Sequence, residues 1–270
     1  NVVNVVINYF LIFGMWIFPK WGVTGAAVGT LASRVTMLIF VVILLYRDPR
    51  TAAIMRQLVP KQLYKKELNQ LLELGLPSSF QMFFEVSFFT FAIWVCGFLS
   101  KDAQAANQIA LNLSSMTFMV AMGLSVAATI RVGNQKGFKA FGELKRIALS
   151  VFLLTLLLDV VFAGFFVACN EWLPWLYLDS ATGLDTFAVA ELAGSLLFIA
   201  AFFQIFDGAQ VVALGSLRGL QDVRIPTWIT FLAYVLIGVP VMLYLSIEAA
   251  MGARGVWIGL CLGLVVSSLL

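Results

Sequence analysis

Histidine is absent from the 270 residues, and charged residues make up only 11% of them. Without imidazoles, the zinc enzymes of the membrane and histidine proton relays are excluded. A soluble domain would carry roughly 25% charged residues. That shortfall excludes an ordinary soluble protein, a disordered chain and a nucleic-acid binder. The net charge of +3 is too small to mean a polyanionic partner. Cysteine is scarce too: Cys96, Cys169 and Cys261 stand alone in apolar runs, with neither a CxxC pair nor a disulfide framework. The chain opens on Asn1 without methionine, basic n-region or signal peptide, and stops at Leu270 inside an apolar run. It reads as a fragment of a longer chain.

What the chain does have is hydrophobic residues, 61% of the total, with a mean hydropathy of +0.98. At about 20 residues per span there is room for roughly eight transmembrane helices. Apolar runs bounded by charges and turn residues fall at about 1–18, 23–46, 76–99, 104–130, 147–170, 187–214, 226–247 and 253–270. Most are too long and too evenly apolar for barrel strands, so the expected fold is an all-α polytopic membrane protein.

Charge sorts the connections. Those at 47–75, 131–146 and 215–225 hold 13 Lys/Arg, and the four alternating ones hold only Lys20, Lys101 and Arg254. A bias this strong assigns 47–75, 131–146 and 215–225 to the cytoplasm. The longest, 47–75, is expected to contain a short interfacial helix at 61–73 and to join two helical bundles.

An internal repeat points the same way. Tyr9-Phe-Leu-Ile precedes Gly22, Gly25 and Gly29; Tyr234-Val-Leu-Ile precedes Gly252, Gly255 and Gly259. Both glycine triplets share one spacing, at an offset of 230, and run in the same direction across the membrane. The repeating unit is then six helices. This predicts a twelve-helix, two-lobe protein. Residues 1–46 would be the last two helices of the amino-terminal lobe, 47–75 the linker, and 76–270 the carboxy-terminal six-helix lobe with its last helix cut short.

A charge at mid-bilayer costs at least ~2.5–3.5 kcal/mol on insertion scales, so intramembrane ionisable groups call for a reason. Arg34, Glu85, Asp159 and Asp207 stand in such places, and Glu191 is near enough to a helix start to reach the interface. Ser78, Gln81 and Glu85 share one helix face. Gln204 and Gln210 flank Asp207, and Gln108, Asn112 and Ser115 form one face beside Asn107. Three polar stripes on three helices predict a shared hydrated cavity, where a carboxyl can exchange a proton for Na⁺ or for a cationic drug. Phe83, Phe84, Phe88 and Phe89 around Glu85 would suit a lipophilic cation. The competing reading makes these groups interhelical hydrogen-bonding glue. Glue is the favoured reading for Asp159, which lacks a polar stripe. Arg34 either pairs with a carboxylate outside this chain or snorkels. Asn4 and Asn8 lie one turn apart and Thr30 sits on the next helix, as oxygen and amide ligands or as interhelical bonds.

Four stretches resemble the multidrug and toxic compound extrusion (MATE) family, in its NorM-like branch: GLPSSFQMFFEVSFF (75–89), the run AANQIALNLSS… through …NQKG (105–137), DGAQVVALGSLRGLQD (207–222) and NYFLIFG…GVTGAAVGT (8–30). The resemblance covers essentially the whole chain. It implies twelve helices in two lobes, export of small organic cations in exchange for Na⁺ or H⁺, no enzymatic chemistry and no cofactor beyond the coupling ion. It assigns cation coupling, with tentative Na⁺ ligation, to Glu85 and Asp207. Gln81, Phe84, Asn107, Gln108, Asn112, Gln204 and Gln210 would then line the cavity. Asn4, Asn8 and Thr30 match an amino-terminal-lobe network. The family often has a tyrosine one turn before the second acid, where this sequence has Phe203. Further expectations are a monomer at full length, in the bacterial inner membrane. The rivals are a lipid-linked oligosaccharide flippase of the same superfamily, which would line its cavity with cations for a pyrophosphate, an intramembrane aspartyl protease, which needs two suitably placed Asp, and a passive channel.

Overall fold

The computed structural model describes residues 2–14, 20–49, 51–52, 64–139, 141–178 and 185–270. They form helices with short connections: α1 (Val2–Phe13), α2 (Val23–Arg47), α3 (Lys65–Leu99), α4 (Lys101–Gly137), α5 (Phe141–Cys169), α6 (Thr186–Gly219), α7 (Arg224–Glu248) and α8 (Gly252–Leu269). Helices α2 to α8 are long and apolar enough to cross a membrane. The expected first span, 1–18, is described as helix only over α1, and its end lies outside the described residues. An apolar chain of this kind has no alternative to helix in lipid, because every backbone polar group must be paired within its own segment.

Two compact units divide between Lys65 and Lys66. The first holds α1 and α2; the second holds α3 to α8. The middle of the expected linker, 53–63, and residue 50 lie outside the described residues. The interfacial helix expected at 61–73 is, where described, the first turns of α3, which passes through Pro77 without stopping. Pro77 lacks an N–H for the ladder, and its own carbonyl ties α3 to a neighbour: the Thr227 hydroxyl on α7 donates to Pro77 O at 2.8 Å.

The glycine triplets do equivalent jobs in their separate units. Gly22 and Gly252 adopt φ of 54° and 59°, the left-handed turn that glycine enters without a side-chain penalty. Gly25 then packs on the Leu11 backbone of α1 and Gly29 on Asn8. Likewise Gly255 packs on the Leu245 backbone of α7 and Gly259 on Met242. Each triplet makes one sharp turn and two close helix contacts, as small residues do between membrane helices.

The core of the second unit is aromatic and aliphatic. Phe88 stacks on Tyr234 with ring centroids 4.8 Å apart, Phe203 meets Trp257 at 5.5 Å, and Leu196, Leu197, Met242 and Leu260 are fully enclosed. Around it, large apolar side chains such as Leu157, Val161, Phe202 and Trp228 point outward, the surface that lipid matches. Helices α4 and α6 cross closely: the Ser125 hydroxyl donates to Val211 O at 2.6 Å and Thr129 to Gly215 O at 2.7 Å. At one end of the unit Lys136 donates to Leu220 O, and Arg224 pairs with Glu73 at 2.7 Å. These bonds gather the start of α3, the α4–α5 turn and the α6–α7 turn. Helix α7 has two π-helical stretches, Leu232–Gly238 and Tyr244–Glu248, on either side of Pro240. Proline removes one ladder bond, and widened turns next to it let the helix continue.

Candidate functional site

A cavity of about 390 Å³ opens within the second unit between α3, α4 and α6. Glu85 reaches it from α3, and Asp207 and Arg218 from α6. Helix α4 contributes Gln108, Asn112 and Ser115, the face anticipated from their spacing. The remaining wall is apolar and aromatic, including Phe89, Phe118 and Phe203. Asp207 is 6% exposed, and Glu85 is part-buried. Two carboxyls on different helices thus face one space that could seat a small organic cation. Among the described residues no three His, Cys, Asp or Glu side chains cluster as a metal cage.

Several residues expected in this cavity are engaged elsewhere. Gln204 and Gln210 lie three residues before and after Asp207, so the helical screw turns them about 120° apart, to opposite sides of it. The Gln204 amide donates to Asp159 O on α5 at 3.3 Å, and Gln210 bonds the Tyr234 hydroxyl on α7. Asn107, one residue from the cavity face, is fully buried and accepts from Trp257 Nε1 at 2.9 Å. Gln81 is enclosed and accepts from the Arg218 guanidinium at 3.3 Å, so it sits behind the lining. Phe84 turns away, packing on Phe231 at 5.1 Å and lining a separate hollow with Phe80 and Trp228. Of the four phenylalanines around Glu85, only Phe89 lines the cavity. Phe83 is exposed and Phe88 belongs to the core. Ser78 bonds back to Leu74 O.

Arg218 is the group that sequence reading missed. Its place among loop cations hid it, but α6 runs on to Gly219 and carries the guanidinium to the cavity wall. Arg34, by contrast, is exposed on α2, and Glu191 is exposed near the start of α6. Asp159, read as structural, is 3% exposed on α5.

In the first unit Asn8 Nδ2 donates to Asn4 Oδ1 at 3.2 Å, and Asn8 packs against Gly29. Thr30 does not join them: it is exposed and its hydroxyl donates to Ala26 O.

A wider hollow of about 560 Å³ lies at the end of the second unit, beside Glu73, Lys136 and Arg224. Its cations already have partners in Glu73 and Leu220 O, and no buried charge opens on it. The smaller cavity, with Asp207 desolvated at its wall, is therefore the candidate site.

The chain was compared with known proteins. The family model MatE matches residues 77–243, from α3 into α7. The chain is 34% identical over its whole length to a probable multidrug resistance protein NorM of Acinetobacter baylyi, covering 59% of that protein. To the multidrug resistance protein MdtK of Proteus mirabilis it is 33% identical, covering 58%. The chain thus spans less than two thirds of these relatives. Its fold superposes on a crystal structure of the eukaryotic MATE transporter AtDTX14 with a TM-score of 0.85 at 20% identity, covering 99% of this chain and 58% of that one. An outward-facing multidrug resistance MATE transporter of the MOP superfamily gives 0.83 at 20% identity, again over 99% and 58%. At such identity the likeness bears on the fold alone; the family rests on the model match. This chain belongs to the MatE family of membrane transporters.

Proposed function

We propose that the chain works as part of a secondary-active multidrug antiporter of the bacterial inner membrane. It would export lipophilic organic cations in exchange for Na⁺ or H⁺, with connections 47–75, 131–146 and 215–225 in the cytoplasm. The observation that carries this reading is the pair Glu85 and Asp207, set on separate helices around one aromatic-walled cavity. A drug cation and a coupling cation can compete for the same carboxyls, and that competition is the coupling. In a one-for-one exchange of single charges no net charge crosses, so the cation's concentration gradient is the drive: a tenfold gradient supplies about 1.4 kcal/mol, roughly a tenfold drug gradient.

Sodium would find only oxygen at the pair, the donor set a hard cation takes. Gln108, Asn112 and Ser115 supply polar contacts along the opposite wall, and Phe89, Phe118 and Phe203 the surface for a flat apolar cation. Arg218 is a fixed cation at the same wall. It makes the cavity less acidic than the sequence alone suggested, yet two carboxyls still outnumber one guanidinium, contrary to what a pyrophosphate-binding flippase would need.

The test is ethidium efflux by the full-length parent protein in vesicles, under separate Na⁺ and pH gradients, with Glu85→Gln and Asp207→Asn. Each variant should lose gradient-driven efflux by at least tenfold. Unimpaired efflux in both sinks the coupling assignment.

A further inference from the structure

Asp207 and Asp159 are the two carboxylates that are buried among the described residues, and only Asp207 faces the cavity. Asp159 lies on the single enclosed stripe of α5, with Thr155, Ala163 and Phe166, where that helix packs on α6 and α4. Nothing in the proposed exchange uses it so far.

No donor reaches its Oδ2 atom. The Thr155 hydroxyl, one turn earlier, donates to Val151 O at 2.9 Å. The Gln204 amide directs one N–H to the Asp159 main-chain oxygen. Asp159 Oδ2 and Gln204 Oε1 are left buried with no partner, although both residues are only 3% exposed. Gly208, one turn after Gln204, lies so close under the Asp159 carboxylate that a methyl group there would collide with Oδ2. The carboxylate is therefore seated on α6 between Gln204 and Gly208, the residue next to Asp207, and is within Coulombic reach of Asp207. Other charges are remote in sequence: α4 carries none between Asp102 and Arg131, and α6 adds only Glu191 before Arg218.

Buried oxygens without donors are expensive, and a small cation is what satisfies two of them at once. Neither an anion nor a lipid chain fits an enclosed place lined by oxygens. We propose that Asp159 Oδ2 and Gln204 Oε1 form a second station for a small cation, H⁺ or Na⁺, beside Asp207 on its α5 side. Each departing drug cation is then exchanged for two coupling cations, one at the Glu85–Asp207 pair and one here. This rests on the antiporter reading above and adds a stoichiometry to it.

The test uses the full-length parent protein in liposomes, with the membrane potential clamped at zero and H⁺ or Na⁺ gradients imposed in separate arms. The steady-state ethidium ratio is plotted against the cation gradient on logarithmic axes. Two cations per drug give a slope of about 2, and Asp159→Asn lowers it to about 1, so a tenfold gradient sustains about tenfold rather than about 100-fold accumulation. The slopes of the two arms are summed, so that stations filled by different cations still give about 2, and the arm in which the slope falls identifies the cation. Gln204→Met removes the other oxygen at similar length and should give the same drop, which decides the matter should Asp159→Asn fail to reach the membrane. A parental slope of about 1, or an unchanged slope in either variant, overturns the second station; a bridging water between the two oxygens would produce that result. Glu85→Gln and Asp207→Asn separate the two failures. If they are inactive while Asp159→Asn keeps the parental slope, only the second station falls. If they retain exchange, the antiporter reading falls with it.

Discussion

Tyr234 on α7 and Gln210 on α6 hold each other inside the protein, the Tyr234 oxygen lying 2.8 Å from Gln210 Oε1 and 2.5 Å from Nε2. Both are buried, and Gln210 comes one turn after Asp207. The pair fixes how far α6 is rotated about its own axis, and so where Asp207 points. Tyr234→Phe keeps the ring stacked on Phe88 but leaves the Gln210 amide unpaired. That should cost about 1 kcal/mol, within the ~0.6–2 kcal/mol range of such bonds in membranes. Denaturation of the purified full-length parent checks it. Adding Gln210→Leu should recover part of the loss, because no polar group is then stranded. A double variant as costly as the two single losses together would show the pair to be uncoupled.

Gly259 and Gly252 differ in what they tolerate. A methyl group on Gly259 would sit 2.5 Å from Met242 Cα, so α8 must move off α7. Gly252 faces open space, and alanine there meets only the penalty of φ 59°. We expect Gly259→Ala to cost about 3 kcal/mol, at the upper end of overpacking, and Gly252→Ala about 1 kcal/mol. Folded yield and thermal stability should follow that order. The reverse order would mean the α7–α8 crossing is set by something other than backbone contact.

The ion pair of Arg224 with Glu73 is short, at 2.7 Å, but its side chains are 68% and 65% exposed. Water and salt screen such a pair to about 0–1 kcal/mol. Glu73→Gln should leave the unfolding midpoint nearly unchanged in 0.15 M salt. A loss above about 2 kcal/mol would reveal a pair held away from water.

Much of this arrangement could be read from residue spacing. The apolar runs located eight helices, seven of them long enough to span and the first shorter where described, because lipid permits few other structures for such runs. Gln108, Asn112 and Ser115 were found on the cavity face, since periodicity reports which residues share a side of one helix. Glu85 and Asp207 stood out by the cost of burying charge. Periodicity does not report what a side meets. Gln204 and Gln210 look like one stripe with Asp207, yet 120° of helical rotation sends them to α5 and α7. Asp159 appeared isolated because its neighbours, Gln204 and Gly208, are 45 and 49 residues later in the chain. Arg218 was hidden by the opposite error: helices outrun the apolar stretch that announces them, so a cation ascribed to a loop stands at the cavity wall.

The duplicated three-glycine hairpin has a consequence for how its two copies can differ. Each crossing is held by positions that present only hydrogen atoms, so it places almost no demand on the remaining faces of its helices. Tyr9 is exposed on α1, whereas its counterpart Tyr234 is enclosed and bonded to the helix that carries Asp207. The joint is common property of both copies, and chemical specialisation is written on the surfaces it leaves free.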